Sequence, residues 1–153
     1  MANVKPIPDG YHTLTPYLIV RGGKAALEFY KKAFGATEVL RLDMPDGNIA
    51  HAEMKIGDSI FMMGEENEQY QCHSPLKLGG TPLGLMVYVK DADAAYNQAI
   101  AAGATVLRPI KNQFYGDRSG TVTDPFGHQW TVATHVEDVP HEELMQRMMK
   151  DCG

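Results

Sequence analysis

The sequence has little cysteine, no long apolar run and no excess of positive charge. Its two cysteines, Cys72 and Cys152, are too few for a disulfide framework, so we expect a protein of a reducing compartment, the cytoplasm. No segment approaches the roughly 20 apolar residues that a membrane-spanning helix needs. The net charge of −5, from 14 Lys and Arg against 19 Asp and Glu, argues against nucleic acid or anionic lipid as a partner.

The common signatures of nucleotide binding and nucleophilic catalysis are absent as well. The chain contains no P-loop, GxGxxG, GxSxG or CxxC pattern, and Gly22-Gly23 alone does not cradle a phosphate. The first ten residues are polar and contain proline, without the apolar core of a signal peptide. The 153 residues, 44% of them hydrophobic, predict a single domain with an ordinary core.

What the sequence does contain is an internal repeat. Residues 18–37 read LIVRGGKAALEFYKKAFGAT and residues 87–105 read VYVKDADAAYNQAIAAGAT, each with a strand end, a turn, a helix and Gly-Ala-Thr. The matching positions, at offsets of 69, 68 and 70, are Val20 with Val89, Gly35 with Gly103, and Gly57 with Gly127. Three ordered matches at a nearly constant offset indicate a duplicated structural unit.

Each copy predicts one strand, one helix and three further strands. The second helix has an apolar stripe at helical spacing, Asp91 as its N-cap and Gly103 at its end, while Gly35 ends the first helix. The predicted fold is α+β, with tandem βαβββ repeats forming a curved mixed sheet. Within one domain over 1–153, we expect the first unit at 11–63, a linker at 64–82, the second unit at 83–135 and a C-terminal helix at 138–151.

Several short motifs lie along residues 11–147: Leu14-Thr15-Pro16-Tyr17-Leu18, Glu28-Phe29-Tyr30-Lys31-Lys32-Ala33-Phe34-Gly35-Ala36, Pro45-Asp46-Gly47, His51-Ala52-Glu53, Gly57-Asp58-Ser59, Asp124-Pro125-Phe126-Gly127-His128 and Ala133-Thr134-His135-Val136-Glu137-Asp138. Together they resemble the vicinal-oxygen-chelate (glyoxalase/bleomycin resistance/dioxygenase) superfamily, and most of all its PhnB-like branch. The resemblance implies the glyoxalase/bleomycin-resistance fold, a cup that binds a small molecule, and a homodimer with swapped or intramolecular pairing of units. Because this fold hosts lyases, dioxygenases, transferases and drug binders, it implies no single activity.

Metal-dependent members of that superfamily place one ligand on the first and one on the last strand of each unit. The corresponding residues here are Thr15, Gly84, Thr131, and either Phe61 or, with a register slip of one, Met62. Glycine offers no side chain, threonine is a poor ligand, and methionine prefers soft copper(I) to a divalent ion. We therefore expect no metal site and no cofactor.

Strand alternation predicts which side chains line the cup. On two strands of the first unit, the residues expected to pack under the helix are Leu40, Leu42, Met44, Ala50, Ala52, Met54 and Ile56. Those expected to face the other way are Val39, Arg41, Asp43, Ile49, His51, Glu53 and Lys55. The predicted ligand-binding residues are Tyr17, Arg41, His51, Glu53, Phe61, Met86, Tyr88, Gln129 and Thr131. Aromatic, methionine and a few polar side chains are typical of a small-molecule site.

His51 and Glu53 are the best candidates for chemistry, because they stand two apart on one strand face. A carboxylate beside an imidazole can serve as an acid–base pair. The alternative is a row of ion pairs that closes the cup or contacts a partner subunit. The sequence leaves both open.

Three functions remain compatible with the sequence. The first is a metal-free binder that sequesters an aromatic or cationic compound. The second is a metal-independent lyase or isomerase that uses His51 and Glu53 as acid and base. The third is an accessory protein with a vestigial cup.

Overall fold

The computed structural model describes residues 3–152, which form two compact units, one ending at Gly80 and the other beginning at Thr81. Within these residues, no helix is both long and apolar enough to cross a membrane. The first unit contains β1 (Tyr17–Val20), α1 (Gly23–Phe34), β2 (Thr37–Asp43), β3 (Ile49–Ile56), β4 (Ser59–Glu65) and α2 (Pro75–Leu78). The second contains β5 (Gly84–Tyr88), α3 (Ala92–Ala102), β6 (Thr105–Asn112), β7 (Asp117–Thr123), β8 (Gln129–His135) and α4 (His141–Asp151). The predicted α+β class and βαβββ order are confirmed.

The first unit is a four-stranded mixed sheet in the order β1-β4-β3-β2. β1 runs parallel to β4, and the other neighbours are antiparallel. Helix α1 packs on one face through Tyr30, whose ring meets Phe61 of β4 edge to face with centroids 5.4 Å apart. Leu18, Met54 and Met63 are fully buried under the same helix. The opposite face, which we call the open face, carries the polar residues of β3.

The start of α1 is held by an acidic side chain from the far end of β4. Glu65 accepts hydrogen bonds from the backbone N–H groups of Gly22, at 3.1 Å, and Gly23. These groups would otherwise lack acceptors at the helix N-terminus, where the helix dipole also favours a negative charge. Gly22 has a φ of 91° and no side chain, so the cap comes from a distant strand. Gly23 lies close enough to Ile49 that a Cβ there would stand 2.9 Å from the Ile49 Cβ.

Two β-bulges change which way the strand residues of the first unit point. Leu42 pairs with His51 while the next residue, Asp43, pairs with Ile49, so Ala50 is the extra residue of β3. Ile49 therefore packs under α1 and is 1% exposed, whereas Ala50 is exposed. The predicted faces of Ile49 and Ala50 are wrong, because a bulge interrupts the alternation of the strand.

The second bulge places Val39 as the extra residue of β2, between the pairs Glu38–Met54 and Leu40–Glu53. Beyond it, every side chain of β2 lies on the face opposite to the predicted one. Leu40 and Leu42 share the open face with Glu53 and His51, to which they are paired.

The second unit repeats the plan with a mixed sheet in the order β5-β8-β7-β6. Asp91 caps α3, as predicted, by accepting from the Ala94 N–H at 2.9 Å. Helix α3 approaches the sheet closely at Gly120, where a Cβ would lie 2.6 Å from the ring of Tyr96. The face of this sheet away from α3 carries Thr131, which pairs with Met86 of β5.

The segment between the repeats is more structured than the sequence indicated, whereas the C-terminal helix was expected. The expected linker begins inside β4, which extends to Glu65, and it contains α2, whose N-cap Ser74 is fully buried. Helix α4 starts at His141 and is attached through Arg147, which donates to Glu137 at 2.6 Å and to the Phe114 carbonyl at 3.3 Å.

We expect the substitution Gly23→Ala to destabilise the protein by about 1–3 kcal/mol, because the added methyl group overpacks the contact with buried Ile49. Gly84→Ala is the matched control, since nothing lies within 4 Å of its Cβ position and its φ is ordinary. Its effect should stay within about 0.5 kcal/mol. Urea unfolding of both variants measures the difference. Equal stabilities would show that α1 does not depend on this close approach.

Candidate functional site

A hydrogen-bonded chain of four side chains crosses the open face of the first sheet. Tyr11, from the segment before β1, donates its hydroxyl hydrogen to Glu53. The other Glu53 oxygen lies 3.1 Å from Nε2 of His51, and Nδ1 of His51 lies 3.1 Å from the Tyr17 hydroxyl. His51 and Glu53, predicted to lie side by side, are thus in direct contact. Tyr17, predicted to share their face, ends the chain on one side, and Tyr11, which was not predicted, ends it on the other.

Glu53 is the charged centre of this chain. The Tyr11 hydrogen bond, followed by the one from His51, holds the pKa of Glu53 below its usual value, against an opposing effect of burial. Burial and the Glu53 carboxylate together raise the pKa of Tyr11 to about 12, and burial raises the pKa of Tyr17. At neutral pH the carboxyl is therefore ionised and both phenols keep their protons.

Tyr17 connects this chain to a cleft of about 750 Å³ in the first unit. Its ring lies beside the His51 ring with centroids 5.6 Å apart. The cleft is lined by Tyr17, Ile19, Gly22, Met44, Asp46, Asn48, Ile49, Ala50, Gly64, Glu65, Glu66, Asn67, Tyr70 and Cys72. Several of these residues belong to the segment between β4 and α2, which the sequence treats as a linker.

The cleft is acidic, since three carboxylates line it and none of its described lining residues is Lys, Arg or His. Glu66 pairs with Arg21 at 3.0 Å, and Glu65 caps α1. Asp46 accepts from the Asn48 backbone at 2.9 Å. Across residues 3–152, neither Asp46 nor Glu65 forms an ion pair.

Two predicted site residues do not reach the open face. Arg41 pairs with Ala52, on the helix side, and binds Asp43 at 2.8 Å, because the extra residue Val39 shifts the strand by one. Phe61 is 4% exposed and packs on Tyr30. Their predicted positions are therefore wrong.

Phe61 was misplaced by the repeat alignment. The first unit turns from β3 to β4 at Gly57-Asp58, while residues 124–128 form a longer turn between β7 and β8. Matching Gly57 with Gly127 therefore shifts β4 against β8 by one residue. The pairs Tyr17–Met62 and Met86–Thr131 show that Met62 is the counterpart of Thr131.

Comparison with known proteins agrees with this architecture. The sequence profile described as Glyoxalase/Bleomycin resistance protein/Dioxygenase superfamily matches residues 11–132. The chain belongs to this superfamily. An uncharacterised protein of Mycobacterium bovis is 38% identical over 149 residues, covering 95% of this chain and 94% of the relative.

Solved structures show the same fold. TioX from Micromonospora sp. ML1 superposes with a TM-score of 0.66 at 28% identity, over 82% of this chain and 99% of TioX. The PhnB protein of Bacillus cereus superposes with a TM-score of 0.62 over 80% of this chain and 99% of its own, and its 18% identity shows the fold alone. The resemblance to the superfamily, with a PhnB protein among the similar folds, is confirmed.

The positions that carry metal ligands in metal-dependent superfamily members do not suit a divalent ion in this chain. They hold Thr15, Gly84 and Thr131, and the strand register selects Met62 rather than Phe61 as the fourth. The Thr131 hydroxyl is already hydrogen-bonded to that of Thr121 at 2.9 Å. A neutral hydroxyl and a thioether are weak ligands for zinc or nickel, so we derive no step through a metal.

The four remaining predicted residues lie together in the second unit. Met86 pairs with Thr131, and Tyr88 and Gln129 point to the same face, away from α3. Met86 and Tyr88 are 48% and 62% exposed.

A second carboxylate network, which the sequence did not predict, lies at the end of β8. Asp117 is 3% exposed and accepts from the Tyr88 hydroxyl at 2.8 Å, and His135 Nδ1 lies at the same distance. His135 Nε2 in turn lies 2.9 Å from Asp138. The hydrogen bond with Asp117, and then that with Asp138, raises the pKa of His135.

Tyr11 and Cys72 were also missed at the first site. Tyr11 lies before the first strand and contacts Glu53 across 42 positions of sequence, so no local pattern marks it. Cys72 lies in the segment between β4 and α2, which the sequence predicts to be a linker.

We expect Asp117→Asn to lower the pKa of His135 towards the ordinary histidine value of about 6.5. Because the folded-state pKa is raised, the interaction stabilises the protein below the unfolded value and is lost as the pH rises through the folded value. NMR titration of the His135 imidazole measures the shift. Asp138→Asn should produce a smaller change, since Asp138 is fully exposed. A wild-type His135 that titrates at or below the ordinary value would contradict this assignment.

Proposed function

We propose that the protein binds a small organic cation with an aromatic or apolar body in the cleft of the first unit, without a metal. The observation that carries this proposal is the composition of the cleft wall. It combines three carboxylates with two tyrosines and aliphatic side chains, and no described lining residue is basic. Members of the superfamily commonly bind small molecules, which agrees with a ligand in this cleft.

Charge is the first source of the expected selectivity for cations over anions. Asp46 and Glu65 form no ion pair within residues 3–152, so they give the cleft a negative potential that attracts cations and repels anions. The helix N-terminus offsets part of the Glu65 charge, and Arg21 offsets that of Glu66. Asp46 accepts hydrogen bonds from Asn48, and the Lys24 ammonium, 3.2 Å from the Cβ position of neighbouring Gly47, offsets part of its charge.

Apolar contact is the second source of the expected selectivity, because it favours a ligand with an aromatic or apolar body. Tyr17 and Tyr70 line the cleft, and the face of an aromatic ring attracts a cation within about 6 Å of its centroid. Met44 and Ile19 add apolar surface, and the flexible thioether of methionine adapts to differently shaped ligands. A cleft of about 750 Å³ is within the usual size range for small-molecule sites.

A metal-independent enzyme is the second candidate, favoured by the chain from Glu53 through His51 to Tyr17. Only Tyr17 among these three lines the cleft, so it would donate or accept the proton at the substrate while His51 and Glu53 orient it. Turnover of a small carbonyl compound that is lost in Tyr17→Phe would support this candidate over simple binding.

The homodimer expected from the superfamily resemblance stays a prediction. Light scattering should give a mass of about twice the 16.9 kDa of one chain. A monomeric mass at all accessible concentrations would contradict it.

For the proposed ligand class, we expect fluorescence anisotropy to rank three planar probes of similar size by charge. N-methylacridinium, a cation, should bind, while anthracenecarboxylate, an anion, should not. Asp46→Asn should weaken the cation about two- to fivefold, the effect of an exposed charge pair worth about 0.5–1 kcal/mol. Neutral anthracenemethanol should fall between the two ions.

The matched control is Asp58→Asn, which removes the same charge from the exposed β3–β4 turn outside the cleft wall. It should leave the affinity for N-methylacridinium unchanged. Equal affinities for the cation and the anion, or equal effects of the two substitutions, would refute a cation site in this cleft.

A further inference from the structure

The Tyr17 hydroxyl occupies a defined place on the cleft wall. It lies over Gly64 of β4, where a Cβ atom would stand 3.0 Å from the hydroxyl oxygen and 3.3 Å from the Ala50 carbonyl. The absence of a side chain at Gly64 therefore allows the Tyr17 ring to cross the strand and reach His51 at 3.1 Å. Gly64, Ala50 and Tyr17 all line the cleft.

The direction of the Tyr17 hydrogen follows from its partners. Glu53 is ionised and can only accept, so a His51 ring that carries a single hydrogen has it on Nε2, which faces Glu53 at 3.1 Å. Nδ1 of His51 then carries a lone pair, and the Tyr17 O–H donates to it. The phenol hydrogen is thus used in the hydrogen bond to His51, and the oxygen keeps a lone pair that can accept a hydrogen bond from a molecule in the cleft.

The carboxylates of the cleft are bound differently. Both oxygens of Glu65 accept from the backbone at the start of α1, and Glu66 accepts from Arg21 and Ser74. Asp46 accepts from Asn48 through both of its oxygens. These groups supply charge, which acts on any cation, whereas the Tyr17 oxygen is an oriented acceptor with no donor on its cleft side among the hydrogen bonds of residues 3–152.

We propose that the Tyr17 oxygen is the specificity-determining acceptor of this cleft, selecting cations that carry an N–H group over quaternary cations of the same size. This inference rests on the proposed function, since it assumes that cations enter the cleft. His51 is a positioning residue, which keeps the Tyr17 hydrogen turned away from the ligand. Glu53 acts one step further back, by fixing the His51 tautomer.

The test compares protonated aminoacridine, which has N–H donors, with N-methylacridinium, which is quaternary, on the full-length protein. The wild type should bind aminoacridinium about tenfold more tightly, a difference of about 1.4 kcal/mol. Tyr17→Phe should abolish that ratio while N-methylacridinium still binds. Tyr115→Phe, which removes a phenol hydroxyl from the second unit, is the matched control and should keep the ratio.

Variants of His51 test its positioning role. His51→Ala frees the Tyr17 hydroxyl to rotate, so the preference for aminoacridinium should fall. His51→Gln should restore it, because an amide can accept from Tyr17 while donating to Glu53. These readouts report a ratio of affinities, which a general loss of folding would not change selectively.

The outcomes separate the two proposals. If neither cation binds more tightly than anthracenecarboxylate, the proposed cation site itself fails. If both cations bind and the wild type does not distinguish them, or if Tyr17→Phe keeps the preference, the cation site stands and the role of Tyr17 is overturned. A ratio that is lost in Tyr17→Phe and kept in Tyr115→Phe supports it.

Discussion

The capping of α1 by Glu65 is the contact on which the first unit and its cleft both depend. Glu65 ends β4, yet its oxygens accept the first free N–H groups of α1, at Gly22 and Gly23. A helix start is usually capped by a neighbouring side chain, which glycine does not have. The carboxylate therefore fixes the helix on the sheet, brings Gly23 against Ile49, and leaves Gly22, Ile49 and Glu65 together on the cleft wall. Helix packing and cleft shape are consequences of the same hydrogen bonds.

Much of the fold follows from local patterns, whereas the side of the sheet to which each side chain points does not. The repeat can be recognised by comparing the two halves of the sequence. The helix ends at Gly35 and Gly103 and the hairpin turns can be predicted as well, because each is encoded within a few residues. The side of the sheet to which a strand residue points depends instead on how many residues precede it in the strand, because each extra residue reverses the alternation. One extra residue at Val39 moves Arg41 to the helix side, and one at Ala50 buries Ile49.

The candidate site was predictable to the extent that it lies within one strand. His51 and Glu53 are two residues apart on β3, so their contact follows from alternation alone. Tyr17 was also predicted to share their face, but its hydrogen bond to His51 was not. Tyr11 reaches Glu53 from outside that strand, and Tyr70 joins the cleft from a segment that looks like a connector. Such contacts are set by tertiary packing, and a single sequence carries no periodic signal for them.

Both units place a carboxylate between a tyrosine and a histidine, Glu53 partly buried and Asp117 buried, but the two arrangements end differently. In the second unit Asp117 holds His135, whose other nitrogen meets Asp138 in the segment leading to α4, so the chain closes on the protein itself. In the first unit the second nitrogen of His51 meets Tyr17, which lines the cleft. The chain in the second unit ends on a carboxylate and anchors a segment, while the chain in the first unit ends on a phenol that lines the cleft. The ligand site proposed for the first unit rests on its acidic cleft wall, to which Tyr17 adds this oriented oxygen.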